Sequence, residues 1–159
     1  MWSRAFLRQL PTLVTLLGKF VKSELLRYFV AEPEIRCPPC FRVHPPGWDS
    51  ISPFHKDSEY GLSPEAINVW IPMTPVWDTN SLWIGTYGGG RNDLRPVCLR
   101  YGEALLFDAV NLLHGSKENQ TDSTRVSFDF RCHGRLRVGT QPGGPPPAGD
   151  RLAAPKRAA

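Results

Sequence analysis

An all-β sandwich or jelly roll preceded by one helix is the fold class this sequence predicts, on three observations. A three-and-four spacing of apolar residues runs out near Val30. From Ile35 to Cys132, short runs rich in Val, Ile, Phe and Trp alternate with Pro, Gly, Asn and Asp. No helical pattern intervenes between those runs, which disfavours a parallel α/β sheet and favours two antiparallel layers. At 159 residues the chain fits one domain with a modest core.

The helix comes first. Leu13, Leu16, Leu17, Phe20, Val21, Leu25, Tyr28 and Phe29 form one face of a cylinder expected over Leu13 to Val30, with Lys19, Lys22 and Arg27 elsewhere on it. Glu32-Pro33 ends it, because a residue before proline avoids the α region. Residues 1–23 carry Arg4, Arg8, Lys19 and Lys22 and no acid, as an organelle transit peptide would. Arg8 and Pro11 interrupt the apolar run that a secretory signal needs, so the segment reads as an attached structural helix and cytoplasm as the default location.

Strands are expected over roughly 35–43, 51–57, 66–73, 81–87, 95–100, 103–108, 112–118 and 125–132. Pro45-Pro46-Gly47, Gly88-Gly89-Gly90 and Asn119 to Ser123 supply turns between them. Beyond Gly134 the composition changes: residues 139–150 hold eight Gly or Pro out of twelve, too little apolar surface to offset ordering entropy. The expected organisation is therefore a helical segment over 1–34, a β domain over 35–133 and a disordered Pro/Gly/Ala-rich tail over 134–159.

Charge narrows the functional classes. The net +4 belongs to the two ends, since residues 24–133 carry ten basic against fourteen acidic side chains. A phosphate-backbone surface needs Lys and Arg clustered on the folded body, so nucleic acid is not an expected partner. No apolar run reaches the roughly 18 to 20 residues that span a bilayer, so no membrane is expected either. Four cysteines are too few and too scattered for a disulfide scaffold. The sequence sets no oligomeric state.

Phe54-His55-Lys56-Asp57 is the stretch richest in chemistry. On a strand, residues two apart point the same way, so His55 and Asp57 are expected to present an imidazole and a carboxylate to one point. His114 follows 57 residues after Asp57, at the start of another expected strand. Two His and one carboxylate make the facial triad of non-haem iron(II) oxygenases, which leaves positions open for cosubstrate and dioxygen. The last strand alternates strictly, with Val126, Phe128 and Phe130 on one face and Arg125, Ser127, Asp129 and Arg131 on the other. Either that polar face lies in water, or it lines a pocket in which Arg125 and Ser127 grip a carboxylate together.

Taken jointly, HxD, a distal His and Arg-x-Ser eleven residues later resemble the 2-oxoglutarate- and iron(II)-dependent dioxygenases. The pattern resembles most the oxygenases of the streptomycin-biosynthesis StrG type. The residues that carry it are 53–57 (PFHKD), 67–74 (INVWIPMT), 79–84 (TNSLWI), 102–108 (GEALLFD), His114-Gly115 and 124–131 (TRVSFDFR). The resemblance implies a double-stranded β-helix, the cupin-like jelly roll, over about residues 35–132. It implies His55, Asp57 and His114 as catalytic iron(II) ligands, and Arg125 with Ser127 on the distal carboxylate of 2-oxoglutarate. It implies O2 as the oxidant and succinate and CO2 as co-products of hydroxylating a small molecule of secondary metabolism.

Asn68 and Trp70 share one face of the third expected strand and are candidates to line the cosubstrate pocket, or simply core. Asp129 and Arg131 either touch substrate or pair with each other or neighbouring charges. Trp83 fits either kind of role. Cys37-Pro38-Pro39-Cys40 matches a zinc or redox pattern in the wrong context, and Asn119-Gln120-Thr121 matches a glycosylation acceptor. Two other functions stay open: a cupin-like metal-binding protein without 2-oxoglutarate, and a non-catalytic jelly-roll binding module. Arg125-x-Ser127 separates the first from an oxygenase, and metal stoichiometry the second.

Overall fold

A computed structural model describes the backbone of residues 4–137 and the side chains of 11–35 and 39–137. Most of the expected tail, residues 138–159, lies outside the described residues. Helix α1 spans Arg4–Phe20 and continues through a π turn, Val21–Leu25, and a 3₁₀ turn, Leu26–Tyr28. It therefore starts earlier than the apolar spacing predicted. Pro11 sits inside it, where a missing N–H and a ring clash ordinarily break a helix. Among described residues no helix is long and apolar enough to cross a membrane.

Among the described residues seven strands follow: β1 Glu34–His44, β2 Ala66–Pro72, β3 Trp83–Ile84, β4 Arg95–Pro96, β5 Leu105–Phe107, β6 His114–Gly115 and β7 Arg125–His133. They form two antiparallel sheets in the orders β1-β7-β2-β5 and β4-β3-β6. The β1–β7 register slips between Arg36 and Cys40, where Pro38 and Pro39 have no N–H to give the ladder. The expected strand over 51–57 does not form. His55 makes an isolated bridge to His114, and Asp57 to Tyr60 turn into a 3₁₀ helix closed by Gly61 at φ 72°. Pro53 and the Asp57-Ser58 pair explain this, because both favour turns over an extended ladder.

The larger sheet has two different faces. Ile67, Val69, Phe130 and Cys132 point from β2 and β7 to Leu17, Val21, Leu25 and Phe29 of the helical segment and bury one core. The opposite face meets the smaller sheet, where Trp70 and Phe107 pack with Leu82, Val76 and Ala109. Burial on β7 decides between the two readings of its polar side. Arg125, Ser127 and Asp129 are 1%, 0% and 3% exposed, so the polar face is the inside.

Candidate metal centre

Two backbone pieces that touch create the centre. His55 and His114 exchange both main-chain hydrogen bonds, at 2.9 and 3.0 Å, which sets their rings 4.4 Å apart. Close approach there requires a glycine: a Cβ on Gly115 would lie 2.8 Å from the Phe54 Cα. Gly115→Ala is expected to push the 54–55 segment away from β6 and weaken metal binding, read by metal titration, while α1 and the larger sheet keep their circular-dichroism signal.

Asp57 arrives by a different route from the one expected. It is the first residue of the 3₁₀ turn rather than a strand residue, and its N–H is held by the Ala109 carbonyl at 2.8 Å. The turn swings its carboxylate beneath the two rings. Asp57 Oδ1 lies 3.4 Å from His55 Nε2 and 3.8 Å from His114 Nε2, and all three donor atoms fall within 4.8 Å of one another. Asp57 and His114 are buried and His55 is half-buried. Metal–ligand bonds of about 2.0–2.2 Å suit a donor set of this spacing and chemistry.

Each donor is oriented from behind. His55 Nδ1–H donates to the Pro53 carbonyl at 2.6 Å and His114 Nδ1–H to the Leu112 carbonyl at 2.9 Å. That leaves both Nε2 lone pairs facing Asp57, the tautomer a metal requires. Burial holds His114 below the ordinary imidazole range, its Leu112 hydrogen bond opposing and the neighbouring His55 adding to the effect. Arg131 donates to Asp57 Oδ2 from Nε at 3.0 Å and Nη2 at 2.8 Å, so Oδ1 alone faces the rings. The Phe107 ring packs edge-on against His114 at 5.2 Å.

A cleft opens between this centre and the inner face of the larger sheet, and Asn68, Trp70 and Arg125 line it. Arg125 donates from Nη1 to the Asn80 carbonyl at 3.0 Å and lies 5.9 Å from the centre of the Trp70 ring. Its Nε has no partner, and neither does the Ser127 hydroxyl. No carboxylate among the described residues forms an ion pair with it, because Asp129 is taken by Arg42 Nε at 3.1 Å. Burial pushes the Arg125 guanidinium down to about 10, with Arg42 acting in the same direction and Asp129 opposing. A buried, under-satisfied cation beside an unpartnered hydroxyl suits a carboxylate ligand.

Two of these positioning residues, Arg42 and His44, were not singled out in the sequence. Arg131 and Asp129 pair with neighbours, Asp57 and Arg42, rather than with each other. His44 lies opposite Arg125 across the β1–β7 pair, wholly buried, with Nε2–H shared between the Trp48 and Asp49 carbonyls. The alternation Cys40, Arg42, His44 on β1 was the available signal, obscured by the prolines before it. Asn119 is buried, and its amide donates to the His44 and Ser123 carbonyls, so it pins a turn and is closed to glycosylation. Trp83 stacks under Lys117, 3.4 Å from its Nζ, outside the cleft lining. Cys132 belongs to the helix-side core.

His44 makes the fold's stability depend on pH. Burial lowers its pKa, the Trp48 carbonyl opposes this, and Arg125 lowers it further. The unfolded chain binds this proton near 6.5 and the folded chain resists it, so stability falls as pH drops below 6.5 and levels off beneath the folded value. His114 contributes in the same sense. Thermal midpoints measured at pH 8, 6 and 5 should decline, and His44→Gln should make the decline shallower.

No known protein-family profile matches the chain. Over 93 residues, 58% of this chain and 43% of the relative, it is 39% identical to the streptomycin biosynthesis protein StrG of Streptomyces griseus. The chain thus spans less than half of that curated relative. A nickel complex of the non-haem monooxygenase ThoJ superposes with a TM-score of 0.54 at 22% identity, over 66% of this chain and 46% of that one. EvdO2 from Micromonospora carbonacea var. aurantiaca, complexed with 2-oxoglutarate, superposes at 0.51 with 15% identity, over 71% and 57%. The chain shares their fold. At these identities the likeness is one of architecture.

Proposed function

We propose that this chain is a non-haem iron(II)- and 2-oxoglutarate-dependent dioxygenase that hydroxylates a small molecule, its two sheets being the halves of a double-stranded β-helix. One observation carries the reading. A two-imidazole, one-carboxylate donor set shares a cleft with a buried arginine that no carboxylate among the described residues pairs. A metal-binding module without a keto acid has no use for that arginine.

In this reading His55 and His114 hold the metal through Nε2 and Asp57 through Oδ1, while Arg131 keeps the second carboxylate oxygen occupied. Arg125 and Ser127 take the distal carboxylate of 2-oxoglutarate, which satisfies the orphaned Nε and hydroxyl. Asn68 and Trp70 wall the cosubstrate, and Leu82 and Phe107 close the cleft's apolar side against water. When bound, iron(II) with dioxygen would supply the chemistry of oxidative decarboxylation, 2-oxoglutarate to succinate and CO2 coupled to hydroxylation of a substrate C–H bond. The protein's part is to hold, orient and exclude. The likeness to StrG supports a substrate from secondary metabolism, and the acidic body of the chain supports a small molecule over nucleic acid, in the cytoplasm.

The test is anaerobic addition of iron(II) and 2-oxoglutarate. Together they should produce a weak visible metal-to-ligand absorption that neither gives alone and that a chelator removes. Bound metal with no such absorption would return the chain to the cupin-like reading.

A further inference from the structure

We infer that the cleft takes an anionic small-molecule substrate, its carboxylate or phosphate held by the free edge of Arg42. The inference rests on the oxygenase reading above and adds the substrate's charge to it. Arg42 lies on β1 opposite Ser127, on the same inner face as Arg125, and lines the cleft. Its Nε is spent on Asp129, whereas Nη1 and Nη2 make no hydrogen bond among the described residues. The side chain is 31% exposed and lines the cleft. Asp129, at 3% exposure, fixes the guanidinium in place and leaves the two-nitrogen edge as a preorganised anion grip.

Charge balance points the same way. Arg42, Arg125 and Arg131 stand against Asp57 and Asp129 on or immediately behind the cleft wall. A divalent metal adds two positive charges and 2-oxoglutarate two negative ones, with both imidazoles neutral as ligands. The loaded cleft therefore keeps one unit of positive charge. In a narrow, partly desolvated cleft such an excess concentrates anions and repels ammonium groups. An amine-bearing substrate would meet Arg42 and Arg131, and among the described residues the carboxylate lining the cleft, Asp129, is already paired with Arg42.

The experiment uses the full chain loaded with zinc(II), which is redox-inert, and saturated with 2-oxoglutarate, so that Arg125 is occupied. Methyl phosphate, acetate and methylammonium are titrated by calorimetry as phosphate, carboxylate and cationic probes. The two anions should bind, more weakly as salt rises, and methylammonium should not. Arg42→Gln should weaken anion binding about tenfold or more. It strands the buried Asp129 and can unfold the chain, so Arg42→Lys is measured beside it. That variant keeps a charge on Asp129, lacks the planar fork, and should still lose several-fold in anion affinity. Anion binding unchanged in Arg42→Lys, or methylammonium binding as tightly as the anions, overturns the inference. If 2-oxoglutarate fails to bind but the anions still depend on Arg42, the cosubstrate reading falls and the anion site stands.

Discussion

Arg125→Met is expected to weaken 2-oxoglutarate binding by roughly thirty- to several-thousand-fold while leaving metal affinity nearly intact. Truncating one partner of a buried charge pair costs about 2–5 kcal/mol, which converts to that range. Methionine fills much of the same volume, so the apolar contact with Trp70 survives and the change isolates the charge. Asp129 does not hold Arg125 as a structural partner, since its carboxylate is engaged by Arg42, and among the described residues the hydrogen bond that Arg125 donates goes to the Asn80 carbonyl. The apo protein should therefore tolerate the substitution, and removing an under-satisfied buried cation should leave its thermal midpoint unchanged or raised. The measurement is a 2-oxoglutarate titration of metal-loaded wild type and mutant. An unchanged dissociation constant would assign Arg125 to its Asn80 and Trp70 contacts and remove the cosubstrate.

Those outcomes bear on how much was legible in the residues themselves. β7 was readable because strict alternation over Arg125 to Arg131 has one physical solution, a strand with two unlike faces. Which face lay inside was not readable. Val126 and Phe128 look like core, yet Arg125, Ser127 and Asp129 are the more deeply buried set. A sheet sandwiched between a helix and a second sheet buries both faces, and period-two patterning cannot distinguish a polar pocket from water. The expectation for His55 and Asp57 reached the right neighbourhood by the wrong geometry: a bridge residue and a 3₁₀ turn converge where a strand was expected. His44 behind Arg125 depends on cross-strand register, and Arg131 behind Asp57 on where the 57–60 turn meets β7, neither of which local sequence encodes. The helix was undercut at its start because Pro11 reads as a breaker in isolation.

The remaining prediction concerns Asp57, where stability and metal binding should move apart. Asp57→Ala removes one of three donors, and its loss should exceed the roughly 10- to 100-fold typical of losing a residue that only hydrogen-bonds a metal ligand, so more than about 100-fold in metal affinity. The cost to the apo fold should be small for a reason visible in the site. Arg131, left behind, is 32% exposed and can turn its guanidinium to water. The converse substitution is asymmetric. Arg131→Met strands a carboxylate that is 2% exposed, and breaking a buried pair from that side costs about 3–5 kcal/mol in the metal-free protein. A bound divalent cation would neutralise the stranded charge, so adding metal should recover much of that lost stability. Thermal midpoints of both variants with and without metal resolve the question. Asp57→Ala should barely respond to metal, and Arg131→Met should respond more than wild type. If Arg131→Met gains nothing from metal, Asp57 serves the ion pair alone, and His55 and His114 are left without the carboxylate that a facial triad requires.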